Sequence, residues 1–174
     1  DKTETQLSIY AATKKSTESL AHSYSSLWKI PITMLRLFTV YGPWGRPDMA
    51  LFRFTKGIIT KKKIDIYNHG KMYRDFTYIA DVVDGITMLI NRAPSLKQFG
   101  KIKNDSLSSV APFRTINIGN TKKVYLLNFI KILEQELGIK AIKNFMPIQK
   151  GDVKATLSST TLLKKLTGYN PKTN

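Results

Sequence analysis

The chain has 174 residues, 42% of them hydrophobic and 10% aromatic, which is the composition of a globular domain with a core and not of a disordered segment. It contains no cysteine, and His22 and His69 stand far apart, so neither a disulfide framework nor a Cys- or His-based metal site is expected. The net charge of +16 invites a nucleic-acid reading, but only six of the 28 basic residues are Arg and the longest lysine run is Lys61-Lys62-Lys63, so lysine-rich solvated faces are expected and nucleic-acid binding is not.

The first element is read as a helix from about Ile9 to Trp28, with Ser8 as its N-cap and Ile30-Pro31 stopping it. Leu20, Tyr24, Leu27 and Trp28 recur at steps of three and four. Near its start, Tyr10 and Lys14 lie four apart and project from one face. An ammonium beside a phenol favours the phenolate, and such a phenol serves as a general acid or base. Tyr-x-x-x-Lys taken alone is equally an ordinary surface pair.

Ile32 to Phe38 is a short apolar run with the pattern of a buried parallel strand. The following loop, Thr39 to Asp48, contains two Gly and two Pro; in open α/β sheets ligands bind beyond strand C-termini, so its residues are site candidates by position. Residues 49–60 read as a helix, 64–67 as a strand, Asn68 to Lys71 as a turn and 72–78 as a second extended stretch. Ile79 to Ile90 is an amphipathic helix with early carboxylates, and 97–112 is polar and aperiodic, a flexible loop. A strand over 114–120, a helix from Tyr125 to Leu137 capped by Gly138, an extended stretch over 140–145 and a last helix near 159–166 complete the series.

Four motifs then stand in one order: Tyr10-x-x-x-Lys14; Leu35 to Ala50, which includes Val40-Tyr41-Gly42-Pro43-Trp44-Gly45-Arg46-Pro47-Asp48; Tyr67 to Ile79, which includes Arg74-Asp75-Phe76-Thr77-Tyr78; and Asn117-Ile118-Gly119-Asn120 with Gly151-Asp152-Val153 and Gly168-Tyr169-Asn170-Pro171. Together they resemble the extended short-chain dehydrogenase/reductase family in its NAD-dependent nucleotide-sugar epimerase branch, nearest to the UDP-glucuronate 4-epimerases. The likeness departs at Leu37, at Gln149-Lys150 and at Leu157-Ser158-Ser159. No Gly-x-x-Gly-x-x-Gly or Gly-x-Gly-x-x-Gly phosphate loop occurs, so the resemblance implies an α/β chain that is the C-terminal half of such an enzyme, without the Gly-rich βαβ half. Residues 1–48 would be a remnant of the NAD-binding Rossmann domain. Residues 49–174 would be mainly the UDP-sugar domain, with some segments returning to the Rossmann sheet.

The resemblance also implies roles. Tyr10 is the catalytic base, and Lys14 primes it and holds the nicotinamide ribose of NAD. Leu37, Phe38, Thr39 and Val40 border the nicotinamide, and Thr39 also borders the sugar. Arg46 neutralises the sugar carboxylate or is a structural loop residue. Leu51 and Phe52 flank the uracil or belong to the core. Arg53 and Arg74 hold the diphosphate, unless Arg74 pairs with Asp75. Asp152 holds ribose hydroxyls or shapes a turn.

The reaction implied is NAD-dependent 4-epimerisation of UDP-glucuronate through a 4-keto sugar, by a fragment inactive alone that does not bind NAD tightly. UDP-glucose 4-epimerase, glucuronate decarboxylase, sugar 4,6-dehydratase and a non-catalytic UDP-sugar-binding remnant are the alternatives. A homodimer through the 9–28 helix is implied. With no apolar run long enough to span a bilayer and no signal peptide, a cytoplasmic protein without a membrane partner is expected.

Overall fold

The computed structural model describes residues 5–173. Helix α1 (Ile9–Trp28) begins where Ser8 accepts a bond from the Ala11 N–H at 3.2 Å, and Lys29 ends it in the left-handed region at φ 56°, two residues before Pro31. Strand β1 (Ile32–Leu37) follows, then β2 (Thr39–Tyr41), α2 (Ala50–Ile59) and β3 (Lys63–Ile66). A tight 3₁₀ turn at Tyr67–Gly70 places Asn68, His69 and Gly70 all at positive φ, one more residue than the Asn/Gly reading supplied. Next come β4 (Tyr73–Arg74), β5 (Phe76–Tyr78) and α3 (Ile79–Ile90). The chain finishes with β6 (Phe113–Ile118), β7 (Val124–Tyr125), α4 (Leu126–Leu137), β8 (Ile142–Phe145) and α5 (Thr161–Thr167).

The strands pair two by two. β1 runs parallel to β6, β2 parallel to β5 and β3 parallel to β8, while β4 and β7 are antiparallel. In the β1–β6 pair, Leu35, Ile116 and Ile118 face a buried cluster with Val82, Leu89, Leu163 and Tyr169, brought by α3 and α5. The opposite face of that pair carries Arg36 and Asn117 in register and lies against α1. A second cluster joins Phe54 of α2, Ile64 and Ile66 of β3, Met72, and Leu126 and Ile130 of α4. Segments of 79–118 and 161–169 therefore share a core with β1, while 50–72 and 126–130 form another. None of the described helices is long and apolar enough to cross a membrane.

One carboxylate ties the two β1-side strand pairs together. Asp75 is fully buried and accepts from the N–H groups of Asn120 and Thr121 at 2.9 and 3.0 Å, and from the Ser158 N–H and hydroxyl at 2.9 and 2.5 Å. Its carbonyl accepts from the Thr39 N–H at 3.1 Å, at the point where the chain leaves β6 as partner and takes up β5. Gly119 is required beside it, because a Cβ there would lie against the Ser158 hydroxyl.

The segment over 97–112 is irregular, as read, but held in place. Arg114, with no exposed surface, donates to both oxygens of Asp105 at 2.9 and 3.0 Å and to the Gln98 side chain at 3.0 Å, and Leu107 and Ala111 are buried. The C-terminal Gly-Tyr-Asn-Pro motif is likewise structural. Gly168 caps α5 in the left-handed region, and Tyr169 packs against Gly85 of α3. Burial first, then the Asp81, Asp75 and Asp84 carboxylates, push the Tyr169 phenol up to about 12.

Replacing Asp75 by Ala removes an acceptor from four buried or part-buried donors. Asp75→Ala is expected to lower stability by more than about 3 kcal/mol in urea unfolding, with Asp84→Ala, a half-exposed carboxylate on α3, as a near-neutral control.

Candidate functional site

The site is built around the N-terminal end of α1 and the C-terminal ends of β1 and β2. Tyr10 is exposed, and the Lys14 ammonium lies over its ring, 5.5 Å from the centroid, so the helix places the two side chains together as their spacing predicts. The helix is anchored to the sheet by Glu18, whose carboxylate receives the Arg36 guanidinium at 2.6 and 2.7 Å and the Lys15 ammonium at 3.1 Å. Arg36 sits on β1 immediately before Leu37, so this ion pair fixes the Tyr10 helix against the strand that leads into the site loop.

Beyond β1, Leu37 is exposed, Phe38, Thr39 and Val40 are half-buried, and Val40 packs against the Tyr169 cluster. The loop turns at Gly42, whose φ of 138° and closeness to Ile79 leave no room for a side chain. It then presents Arg46, which is gripped at both ends by Asp48, Nε to Oδ1 at 3.0 Å and Nη2 to Oδ2. That pair raises the guanidinium and lowers the Asp48 carboxyl; Tyr10 is near enough to Arg46 to act on it electrostatically.

On the other side, the Gly151-Asp152 turn abuts the N-cap of α1. A Cβ on Gly151 would come within 3.2 Å of the Leu7 carbonyl oxygen and the Ser8 Cβ. Asp152 accepts from Arg74 at 2.9 Å, and Arg74 also donates to the carbonyls of Tyr73 and Val153. Arg74 therefore does not pair with Asp75, the alternative read from the sequence; Asp75 is turned inward and occupied by four donors.

The structure thus brings Tyr10 and Lys14 together near the start of α1 and sets the Asp152–Arg74 pair beside its N-cap, while Arg46 stands on the loop after β2, held by Asp48. Phe52 and Arg53 lie on α2 just beyond that loop, with Arg53 close enough to Asp48 to help lower its carboxyl. Both are exposed and line a cavity of about 350 Å³ with Pro47, Lys56, Lys62 and Lys63, which Arg74 does not reach; Leu51 is half-buried. Asp48 went unread, although Arg46-x-Asp48 inside a loop already offered the pair. Ser158 went unread because its partner lies 83 residues away.

The family model for the NAD dependent epimerase/dehydratase family matches residues 1–104. The chain belongs to this family. Protein CapI of Staphylococcus aureus is 48% identical over 174 residues, covering 99% of this chain and 52% of that protein. A probable UDP-glucuronate 4-epimerase of Rhizobium meliloti (strain 1021) is 48% identical over 173 residues, 98% of this chain and 51% of that one. The structure of UDP-glucuronic acid 4-epimerase from Bacillus cereus in complex with UDP-glucuronic acid and NAD superposes with a TM-score of 0.81 at 35% identity, over 97% of this chain and 49% of the other. The fold is accordingly the α/β, Rossmann-like fold of extended short-chain dehydrogenases/reductases, and the chain spans about half the length of the relatives it matches.

The Glu18–Arg36 pair makes the placement of α1 sensitive to acid. Hydrogen bonding to Arg36 foremost, helped by Lys15 and opposed by burial, holds the Glu18 carboxyl below its ordinary 4.5. A carboxyl lowered in the folded state stabilises fully above its unfolded value and loses that contribution as pH falls through the folded one. Glu18→Gln is expected to cost about 2 kcal/mol at neutral pH in urea unfolding, with the difference from the parent chain shrinking steadily as the pH is taken below 4.5.

Proposed function

We propose that this chain supplies the catalytic Tyr/Lys helix and the sugar-nucleotide site of an NAD-dependent UDP-glucuronate 4-epimerase. The observation that carries the reading is the pairing of Tyr10 and Lys14 near the start of α1, with the Gly151-Asp152 turn, and Arg74 bound to it, against the N-cap of that helix. The relatives named UDP-glucuronate 4-epimerase support it.

The residues present fit one end of NAD. An exposed phenol and ammonium stand together on a helix tied by Glu18 and Arg36 to the C-terminal part of a parallel strand, an arrangement that suits a nicotinamide ribose. The diphosphate cradle is another matter, since no Gly-rich phosphate loop occurs in these 174 residues. Bound NAD⁺ supplies a hydride acceptor at sugar C4 and then the donor that returns the hydride to the opposite face.

This chain's own groups do the proton and orientation chemistry. The Tyr10 oxygen takes the proton from the sugar 4-hydroxyl as the C4–H bond breaks, and returns it once the planar 4-keto sugar has turned over. Lys14, whose ammonium lies 5.5 Å from the centre of the Tyr10 ring, hydrogen-bonds the ribose. Thr39, at the strand end, borders the sugar. Arg46 receives the glucuronate carboxylate in the fork that Asp48 now fills, since both present two coplanar oxygens. Arg74, the more enclosed arginine, takes the diphosphate, Asp152 meets the ribose hydroxyls, and Leu51 and Phe52 flank the uracil.

The division near residue 48 follows from the same reading, modified by the shared core: 79–118 and 161–169 go with the Rossmann side, and 50–72 with 126–130 form the sugar-nucleotide side. Leu20, Tyr24, Leu27 and Trp28 are exposed along α1, which supports burial of that face against a second subunit in a homodimer.

In a polypeptide joining this chain to the Rossmann half of the Rhizobium meliloti relative, UDP-galacturonate is expected to form from UDP-glucuronate. Tyr10→Phe should lower kcat by about 10² to 10⁴-fold with little change in KM. Turnover unaffected by that substitution would overturn the assignment. For the 174-residue chain, calorimetry is expected to show weak binding of UDP-glucuronate that Arg74→Ala reduces about tenfold, and no micromolar binding of NAD⁺.

A further inference from the structure

We propose that the outer edge of β6 carries a second binding site, separate from the Tyr10 site, for a small oxyanion bearing two or more charges, with a diphosphate as the fitting class. A cavity of about 470 Å³ opens there, on the sheet face that carries Arg36, Thr115 and Asn117. Its cationic walls are Lys103 and Lys165, with Arg36, already held by Glu18, at one side; its neutral donors include Asn104 and Thr161, and no Asp or Glu among the described residues lines it. A smaller cavity of about 230 Å³ adjoins it across Lys165 and adds Arg92 and Lys101, again without a lining carboxylate.

The acids closest to this region are already committed. Glu18 is held by Arg36 and Lys15, and Asp105 is turned inward onto buried Arg114. Lys101, Lys103 and Lys165 have no ion pair among the described residues. Their charges therefore add without an internal counter-charge, in a concavity where field lines from like charges concentrate.

The walls are also fixed before any ligand arrives. Asp105 and Arg114 lock the segment that carries Lys103, and the Lys165 ammonium donates to the Lys103 carbonyl at 3.2 Å, tying α5 to that segment. Two of its three protons remain for an anion. The strand edge is closed to a β-partner, because the Ser106 hydroxyl accepts from the Thr115 N–H at 3.1 Å and donates to the Thr115 carbonyl. What is left is a polar, cationic recess of small-ligand size, and it shares no lining residue with the Phe52–Arg53 cavity.

The test is an amide ¹⁵N–¹H titration of the 174-residue chain with inorganic pyrophosphate at fixed ionic strength. The expected result is saturable movement of the Asn104, Ser106, Thr115 and Asn117 amides, weakened about tenfold in Lys103→Ala/Lys165→Ala and retained in Arg74→Ala. Unchanged amides elsewhere certify that the double variant is folded. A parallel titration of the parent chain at rising sodium chloride needs no variant, and the affinity should fall with salt. UDP moving the same amides would point to a nucleotide-borne diphosphate, and pyrophosphate alone moving them to a free one; both support the site. Movement confined to the surroundings of Arg53 and Arg74, undiminished affinity in the double variant, or binding indifferent to salt would overturn it.

Discussion

The structure depends on the buried carboxylate of Asp75. A charge in the interior is tolerable only when donors surround it, and here four donors from two distant segments do so. The consequence is geometric. The turn after β6, the 158 segment and the start of β5 are drawn to one point, and the same residue's carbonyl catches Thr39 where β1 gives way to β2. The loop that carries Arg46 therefore leaves from a fixed place. Glu18 does the complementary task on the other face of the sheet, binding the Tyr10 helix to β1. Two carboxylates, one inside and one at a helix–strand seam, fix the helix that carries Tyr10 and Lys14 and the start of the loop that carries Arg46.

The elements were largely legible in the sequence because their signals are local. Ser8 caps α1, Gly138 caps α4, and the 79–90 helix was read to the residue, since caps and apolar spacing act within a turn or two. The Tyr10–Lys14 proximity was legible for the same reason. Asp75 was not. Its neighbour Arg74 offered a plausible partner in sequence, whereas its true donors lie 45, 46 and 83 residues away. The 97–112 stretch misled in the same way. A polar, aperiodic segment looks loose until the buried guanidinium that orders it is found on β6.

The site shows a related split. Residue types read from the motifs were brought together where a short segment carried them, as with Arg46 in its loop. Arg74 and Asp152, named separately from motifs far apart, form an ion pair at the α1 N-cap. Arg53 was grouped with Arg74 by residue type alone, and the fold gives it a different cavity. Shared chemistry in a sequence does not fix shared address; the strand pairings between 63 and 145 decide that, and they are long-range.

The chain's last described residues carry a consequence of their own. The N–H groups of Lys172 and Thr173 are bound by the two oxygens of Asp81 in the first turn of α3, at 2.9 and 3.0 Å. Burial raises the Asp81 carboxyl, and these backbone bonds, together with the Thr173 hydroxyl and the Lys172 charge, bring it below its ordinary value. The 172–173 segment is thus strapped to the start of α3, so the Gly168-Tyr169-Asn170-Pro171 turn before it is held at both ends. Removing Lys172 and Thr173 would leave the α3 carboxylate without the two backbone donors it holds.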